Sequence, residues 1–223
     1  MQDKSVLSAA GIERGAGVSI NKVLRNTYLL LGMTLAFSAM TATAGVVMGI
    51  SSGVSLVMML SAFLLLWLVL PRTQNSASGL VVVFAFTGLM GASLGPMLSY
   101  YLSIPSGPGL VLQALAGTAV VFFGLSGYAL VSRKDFSFMG GFLFVGLLVA
   151  IVAMIANIFL QIPAMSLAIS AAVVLIMSGL ILFDTSRIIN GGETNYIRAT
   201  VSLYLSIFNI FVHMLHLLGA TDD

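Results

Sequence analysis

Seven long apolar stretches, separated by short loops, dominate this chain and restrict what it can fold into. They cover residues 27–50, 54–70, 79–102, 109–131, 138–160, 164–188 and 197–218. Each holds about 17–25 residues, which at a rise of ~1.5 Å per residue crosses a hydrocarbon layer ~30 Å thick. Hydrophobic residues make up 59% of the chain and charged residues only 7%, too few polar side chains to cover a water-exposed surface. The pattern predicts an all-α, polytopic membrane protein with seven transmembrane helices embedded in a lipid bilayer.

The cationic residues all lie on one side of the predicted membrane. All nine lysines and arginines precede the first stretch or flank the loops after the second, fourth and sixth: Lys4, Arg14, Lys22, Arg25, Arg72, Arg133, Lys134, Arg187 and Arg198. The loops 51–53, 103–108 and 161–163 contain none, and neither does the C-terminal segment 219–223. Because cationic loops stay in the cytoplasm, the sequence predicts a cytoplasmic N-terminus and a periplasmic C-terminus. The formal net charge is only +2, so no nucleic-acid partner is expected.

The loops are too short to hold a soluble domain. We therefore expect one integral membrane domain, residues 26–223, preceded by a cytoplasmic tail, residues 1–25. The first apolar stretch exceeds the ~7–15 residues of a secretory signal, so it is expected to be a retained span. The sequence has no cysteine, which excludes disulfides and thiolate metal sites.

Small residues indicate how the spans pack, because lipid supplies no hydrophobic drive between helices. Gly91 and Gly95 in the third span are predicted to face another helix, as are three glycines of the fourth span: Gly117, Gly124 and Gly127. Pro96 is expected to bend the third span.

A polar stripe runs along the last span. Its members recur at steps of three or four residues and so share one face of a helix; they are Arg198, Ser202, Ser206, Asn209, His213 and His216. Polar groups at membrane depth face the bundle interior or a water-filled cavity. The stripe is thus interpreted either as the wall of a polar pathway or as a set of interhelical hydrogen bonds, with a polar cavity slightly favoured. Asn157 in the fifth span is a predicted neighbour of this stripe.

Asp184 is the one carboxylate within a predicted span. It lies about one turn from the expected cytoplasmic end of the sixth span, with Arg187 three residues further along the same helix face. Either Asp184 anchors the helix end through an ion pair, or it acts as a titratable gate or cation site.

Two enzyme-like patterns do not support catalysis. Gly124-Leu125-Ser126-Gly127 is similar to the serine motif of rhomboid proteases. However, Ser126 and His213 lie near opposite ends of their spans, roughly 15–20 Å apart in depth, whereas a nucleophile and its base must be hydrogen-bonded. His213 and His216 have no evident third ligand for zinc. No enzyme activity, cofactor or metal is therefore expected.

Several blocks resemble the Bax inhibitor-1 family, and in particular a bacterial branch of it. The resemblance is carried by Phe183-Asp184-Thr185-Ser186, the segment from Gly191 to Leu205, and Asn209-Ile210-Phe211. Of these, the segment from Gly191 to Leu205 is the specific one. The blocks Lys22-Val23-Leu24-Arg25-Asn26-Thr27-Tyr28 and Ala156-Asn157-Ile158-Phe159-Leu160-Gln161 point the same way. The resemblance extends over nearly the whole chain.

The resemblance implies six helices around a central one. It also implies two kinds of activity. The bacterial branch comprises inner-membrane modulators and substrates of FtsH, a membrane-anchored ATP-dependent protease. Other members resemble pH-sensitive calcium leak channels gated by two aspartates, one on the sixth span and one on the seventh.

This chain departs from the channel pattern at one of the two aspartates. The first falls on Asp184, but the place of the second is occupied by Ser206. A serine removes the coupled titration of a carboxylate pair and one of the charges that would hold Ca²⁺. The sequence therefore favours a modulator of an FtsH-type protease. The alternative is a leak for Ca²⁺ or H⁺ with Asp184 near its cytoplasmic mouth.

Overall fold

A computed structural model describes the backbone of residues 3–221 and the side chains of residues 20–221. Within that part, seven helical segments are long and apolar enough to cross a membrane, which confirms the predicted number. Spans one to seven are Ile20–Val47, Ser52–Thr73, Ala77–Ser103, Gly107–Ser132, Ser137–Leu160, Pro163–Ile189 and Tyr196–Gly219. Span one belongs to a continuous helix, Asp3–Val47. No strand occurs in the described residues.

Proline interrupts two of the spans. Span three consists of the helices Ala77–Ser93 and Gly95–Ser103, and Pro96 lies in the first turn of the second. The interruption falls where the sequence predicted a bend. Span two contains a π-helical turn, Leu65–Val69, which ends two residues before Pro71. The sequence analysis did not anticipate this second irregularity, which accommodates a ring that lacks a backbone N–H.

Span seven is the central helix. It contacts spans one, three, four and six, and it is the most buried of the seven. Spans two and five are the least buried, and they pack mainly against spans three and six. Leu203, Tyr204, Ile210 and Leu215 of span seven are almost completely buried. The arrangement confirms a central helix, which four of the other six spans contact directly while spans two and five pack outside them.

Glycines allow spans one and three to approach closely. A Cβ atom at Gly91 would lie 2.2 Å from the backbone oxygen of Ser38, and one at Gly95 would lie 2.9 Å from the backbone of Gly45. The predicted contact face of span three is therefore correct. The prediction for span four holds only in part: Gly117 faces Met214, but a Cβ at Gly124 or Gly127 would meet nothing within 4 Å.

Three loops meet at one end of the bundle. The side chain of Asn195 accepts hydrogen bonds from the backbone N–H of Ile197 and Arg198, which caps span seven. Its amide nitrogen donates to Asn75 Oδ1 at 2.8 Å, joining the loop before span seven to the loop after span two. Ser186 accepts from Phe136 N, at the start of span five. Since Arg72, Arg133, Lys134, Arg187 and Arg198 all flank these loops, we call this the cationic end.

Candidate functional site

The site at the cationic end is built around Asp184. Its side chain lies between spans six and seven and is buried, with only 7% of the residue exposed. The hydroxyl of Ser202 on span seven donates to Asp184 Oδ2 at 2.5 Å. A short bond from a hydroxyl to a carboxylate is typical of a charge-assisted interaction. The carboxylate thus ties the two spans together.

Glu193, in the loop before span seven, links two of the arginines beside Asp184. Its Oε2 lies 3.8 Å from Arg187 Nη2 and 3.5 Å from Arg198 Nη2. Asp184, Ser202 and these three side chains line a small polar cavity of about 110 Å³. The ion-pair partner of Arg198 is therefore Glu193, and Asp184 is held by a hydroxyl. Around the cavity, the negative charges of two carboxylates offset the positive charges of two guanidinium groups.

The middle of the polar stripe makes local hydrogen bonds. Ser206 is buried and donates to the carbonyl of Ser202 at 3.2 Å. Asn209 donates to the carbonyl of Leu205 at 2.8 Å. Both bonds stay within span seven, where a side chain shares the carbonyl four residues earlier. Among the described residues, these two positions therefore make no hydrogen bond to another helix.

The far end of the stripe contacts span six again. Ser170 Oγ lies 3.1 Å from His213 Nδ1 and 2.9 Å from His216 Nδ1, so one hydroxyl bridges both imidazoles. Ser170 is 2% exposed, whereas both histidines are half-buried. Within residues 20–221 no cluster of three His, Cys, Asp or Glu side chains suited to a metal ion is found.

Asn157 lies near the end of span five, three residues before the helix ends at Leu160. Its Oδ1 accepts a hydrogen bond of 3.1 Å from the backbone N–H of Ile162. That bond closes the turn into span six. The amide expected beside the span-seven stripe thus makes its hydrogen bond to the following loop.

The side chains of Ser126 and His213 lie in different parts of the bundle and have different neighbours. Ser126 is buried near the end of span four, with its Oγ 3.4 Å from Thr185 Oγ1. His213 has its hydroxyl partner on span six instead. The two side chains are not arranged as a nucleophile and its base.

A larger cavity, of about 610 Å³, lies on another face of span seven. It opens between spans one and four, where exposed Gly32, Ala39 and Phe123 form part of its rim. Its lining is almost entirely apolar, and Tyr204 and Ser38 meet in its floor with a hydroxyl–hydroxyl distance of 2.7 Å. The sequence favours a polar cavity along the stripe. The polar cavity described above includes two stripe residues, Arg198 and Ser202, at the cationic end, and the larger cavity is apolar. The larger cavity is apolar because hydrophobic side chains of span seven, such as Ile207 and Phe211, line it.

Two residues of these sites were not singled out in the sequence. Glu193 lies in a short loop, with Arg187 before it and Arg198 after it in the sequence. This alternation of charge could have indicated its role from the sequence. Ser170 carries no such signal, because a lone serine in an apolar helix is ordinarily bonded to its own backbone. Its role depends on the register between spans six and seven.

Fold and site together define a seven-helix membrane protein in which a buried carboxylate of span six is hydrogen-bonded to one end of the central helix. The family model described as "Inhibitor of apoptosis-promoting Bax1" matches residues 20–223, which include all seven spans. The chain belongs to this family, the Bax inhibitor-1 family, as the sequence blocks predicted.

Individual relatives agree with the family match. The chain is 53% identical over 207 residues to "Modulator of FtsH protease YccA" of Escherichia coli K12, a match that covers 93% of this chain and 94% of the relative. It is 55% identical over 203 residues to an "Uncharacterized membrane protein" of Vibrio cholerae, covering 91% of each chain. A protein of Escherichia coli O6:H1, also 53% identical over 207 residues, is named "Inner membrane protein YccA".

Proposed function

We propose that this protein is an inner-membrane modulator of an FtsH-type protease and acts as a regulator without enzyme activity of its own. The observation that carries the proposal is the 53% identity to the Escherichia coli modulator over 93% of this chain. A match of that extent includes the membrane spans as well as the loops. The related protein named for the inner membrane supports the same location here.

The cytoplasmic tail is the proposed point of engagement with the protease. Nine cations and their placement support a cytoplasmic N-terminus, so the part of the predicted tail that precedes span one, residues 1–19, would be available to a protease that acts from that side. The remaining loops are short and offer little chain to grip. Residues 26–223 would then form the membrane domain that modulates the protease.

The proposal is tested in Escherichia coli cells that lack their own YccA and express this protein from an inducible promoter. The half-life of a membrane protein degraded by FtsH is measured by pulse-chase, and FtsH is captured from detergent extracts through a tag on this protein. We expect the substrate's half-life to lengthen with expression and FtsH to be recovered. An unchanged half-life with no FtsH in the capture would overturn the proposal.

A deletion of residues 2–19 serves as the matched variant, because it leaves every span in place. If the tail is the point of engagement, the deletion slows the turnover of this protein itself. An equal turnover of the full chain and the deletion variant would move the engagement to another part of the molecule. The effect of the full chain on other substrates would still test its role as a modulator.

A second candidate function is a cation pathway, favoured by the burial of Asp184 beside a polar cavity. Against it, Arg187 and Arg198 line the same cavity and oppose a cation there. Ca²⁺ prefers several oxygen ligands, and Ser206 supplies no charge at the second position. Flux of Ca²⁺ and H⁺ into liposomes distinguishes the two candidates: flux abolished in Asp184→Asn would support a channel, and flux no greater than in empty liposomes would exclude it.

A further inference from the structure

The two histidines of span seven are held by a single hydroxyl. Ser170 Oγ is within hydrogen-bond distance of Nδ1 on both His213 and His216. The site lies at the opposite end of the span six–span seven interface from Asp184. Ser170 and Asp184 are 14 positions apart on one helix, which corresponds to about 21 Å.

The number of hydrogens available at this site restricts which tautomers the two imidazoles can adopt. A serine hydroxyl has one hydrogen to donate, and a neutral imidazole has one protonated and one unprotonated nitrogen. For both bonds to form with neutral rings, one Nδ1 must accept from the hydroxyl while the other Nδ1–H donates to it. The two histidines must therefore be in opposite tautomers.

An added proton can move between the rings through the same hydroxyl. When the donating histidine becomes a cation, its Nδ1 proton can pass to Ser170 Oγ while the hydroxyl proton passes to the other Nδ1. The serine is unchanged at the end, and the charge has moved from one imidazole to the other. A second proton would place two cations with each Nδ1 within 3.1 Å of one oxygen, and such like charges repel.

The surrounding helices offer this charge no carboxylate among the described residues. The parts of spans one, three, four and six at this end contain no Asp, Glu, Lys or Arg. Their titratable side chains are Tyr100 and Tyr101 of span three. The Tyr101 hydroxyl would lie 2.7 Å from a Cβ at Gly219, one turn beyond His216. Asp222 and Asp223 lie outside the described residues.

We propose that Ser170, His213 and His216 form a proton-binding site that takes up one proton and shares it between two imidazoles. The site goes beyond protease modulation, since it needs no protein partner. Because the hydroxyl comes from span six and the imidazoles from span seven, the charge state of the site determines the hydrogen bonds that hold these spans together at this end. The bound species is a proton arriving from the membrane face opposite the cationic end.

The chain has only two histidines, which makes the test direct. The full-length protein, carrying an affinity tag without histidine, is labelled with ¹⁵N-histidine and placed in lipid nanodiscs. The ¹⁵N chemical shifts are then recorded between pH 4 and pH 9. We expect one Nδ1-protonated and one Nε2-protonated ring at neutral pH. We also expect two protonation steps separated by about one pH unit or more, as coupled sites show.

Ser170→Ala removes the shared hydroxyl and should abolish the opposite tautomers. The control is Ser178→Ala on the same helix, whose hydroxyl donates to the carbonyl of Val174 and should leave both titrations unchanged. His213→Gln and His216→Gln should each leave a single-step titration in the remaining ring. Identical tautomers in the wild-type protein, or a single common protonation step, would overturn the proposal without any variant.

Discussion

Asp184 and Ser202 join the sixth and seventh spans through a 2.5 Å hydrogen bond at the cationic end of the bundle. The carboxylate is buried, and the nearby arginines are engaged by Glu193. Ser170 makes the corresponding connection at the other end, to two imidazoles. The interface between the same two helices thus carries an ionisable side chain hydrogen-bonded to a serine at each end.

Loss of the Ser202 hydroxyl should destabilise the protein. Ser202→Ala removes the donor to a buried carboxylate, and an unsatisfied buried group costs about 1–3 kcal/mol. Thermal unfolding in detergent should therefore begin at a lower temperature. Ser178→Ala is the control, because its hydroxyl is bonded within its own helix. A Ser202→Ala variant as stable as Ser178→Ala would show that the hydrogen bond contributes little.

An aspartate at position 206 should make stability depend on pH. Ser206 is 2% exposed, so Ser206→Asp would bury a second carboxylate one turn from Ser202. A buried carboxylate is costly when ionised and much less so when protonated. We expect the variant to be less stable than wild type at pH 8 and to recover at pH 5, as measured by thermal unfolding at both values. Ser206→Asn, of similar size but without charge, should show the same difference from wild type at both.

Alanine substitutions at two glycines should have opposite outcomes. At Gly91 the new Cβ would lie 2.2 Å from the carbonyl oxygen of Ser38, which is backbone and cannot rotate away. Overpacking of this kind costs about 1–3 kcal/mol. At Gly124 the Cβ would meet nothing within 4 Å, and replacing a helical glycine stabilises by up to about 1 kcal/mol. Equal thermal stability of the two variants would contradict the close approach of spans one and three.

The predicted orientation can be tested with single cysteines, because the chain has none of its own. Ser52→Cys and Thr221→Cys lie at the end opposite the cationic loops, and Ala77→Cys lies at the cationic end. A membrane-impermeant maleimide added to intact spheroplasts should label the first two variants but leave the third unlabelled until the membrane is permeabilised. Labelling in the reverse pattern would place the N-terminus outside.

Much of the fold follows from patterns that a sequence carries on its own. The length of the apolar stretches gives the spans, with helix ends differing from the predicted ones by one to three residues in most cases and by seven at the start of span one. Pro96 lies where span three is interrupted. This was predictable because a proline removes a helical hydrogen bond whatever the tertiary packing. The family, too, was evident from short residue blocks, and the family match confirmed it.

The partners of the polar side chains were less predictable. The spacing along span seven placed six polar residues on one face, but it could not say that Ser206 and Asn209 bond their own helix while Ser202 and the histidines reach span six. Which residues face each other depends on the rotation and register of two helices. Neither quantity is contained in the periodicity of one of them.

The sequence by itself therefore determined the class of protein, the number of spans and the face of span seven that carries polarity. These features depend on local hydrophobicity and on the 3.6-residue repeat of the helix. Tertiary structure decided that Asp184 is held by Ser202, that Glu193 engages the arginines, and that one serine bridges two histidines. Hydrogen bonds act over about 3 Å, so contacts between residues distant in the chain exist only once the packing of the helices has set their positions.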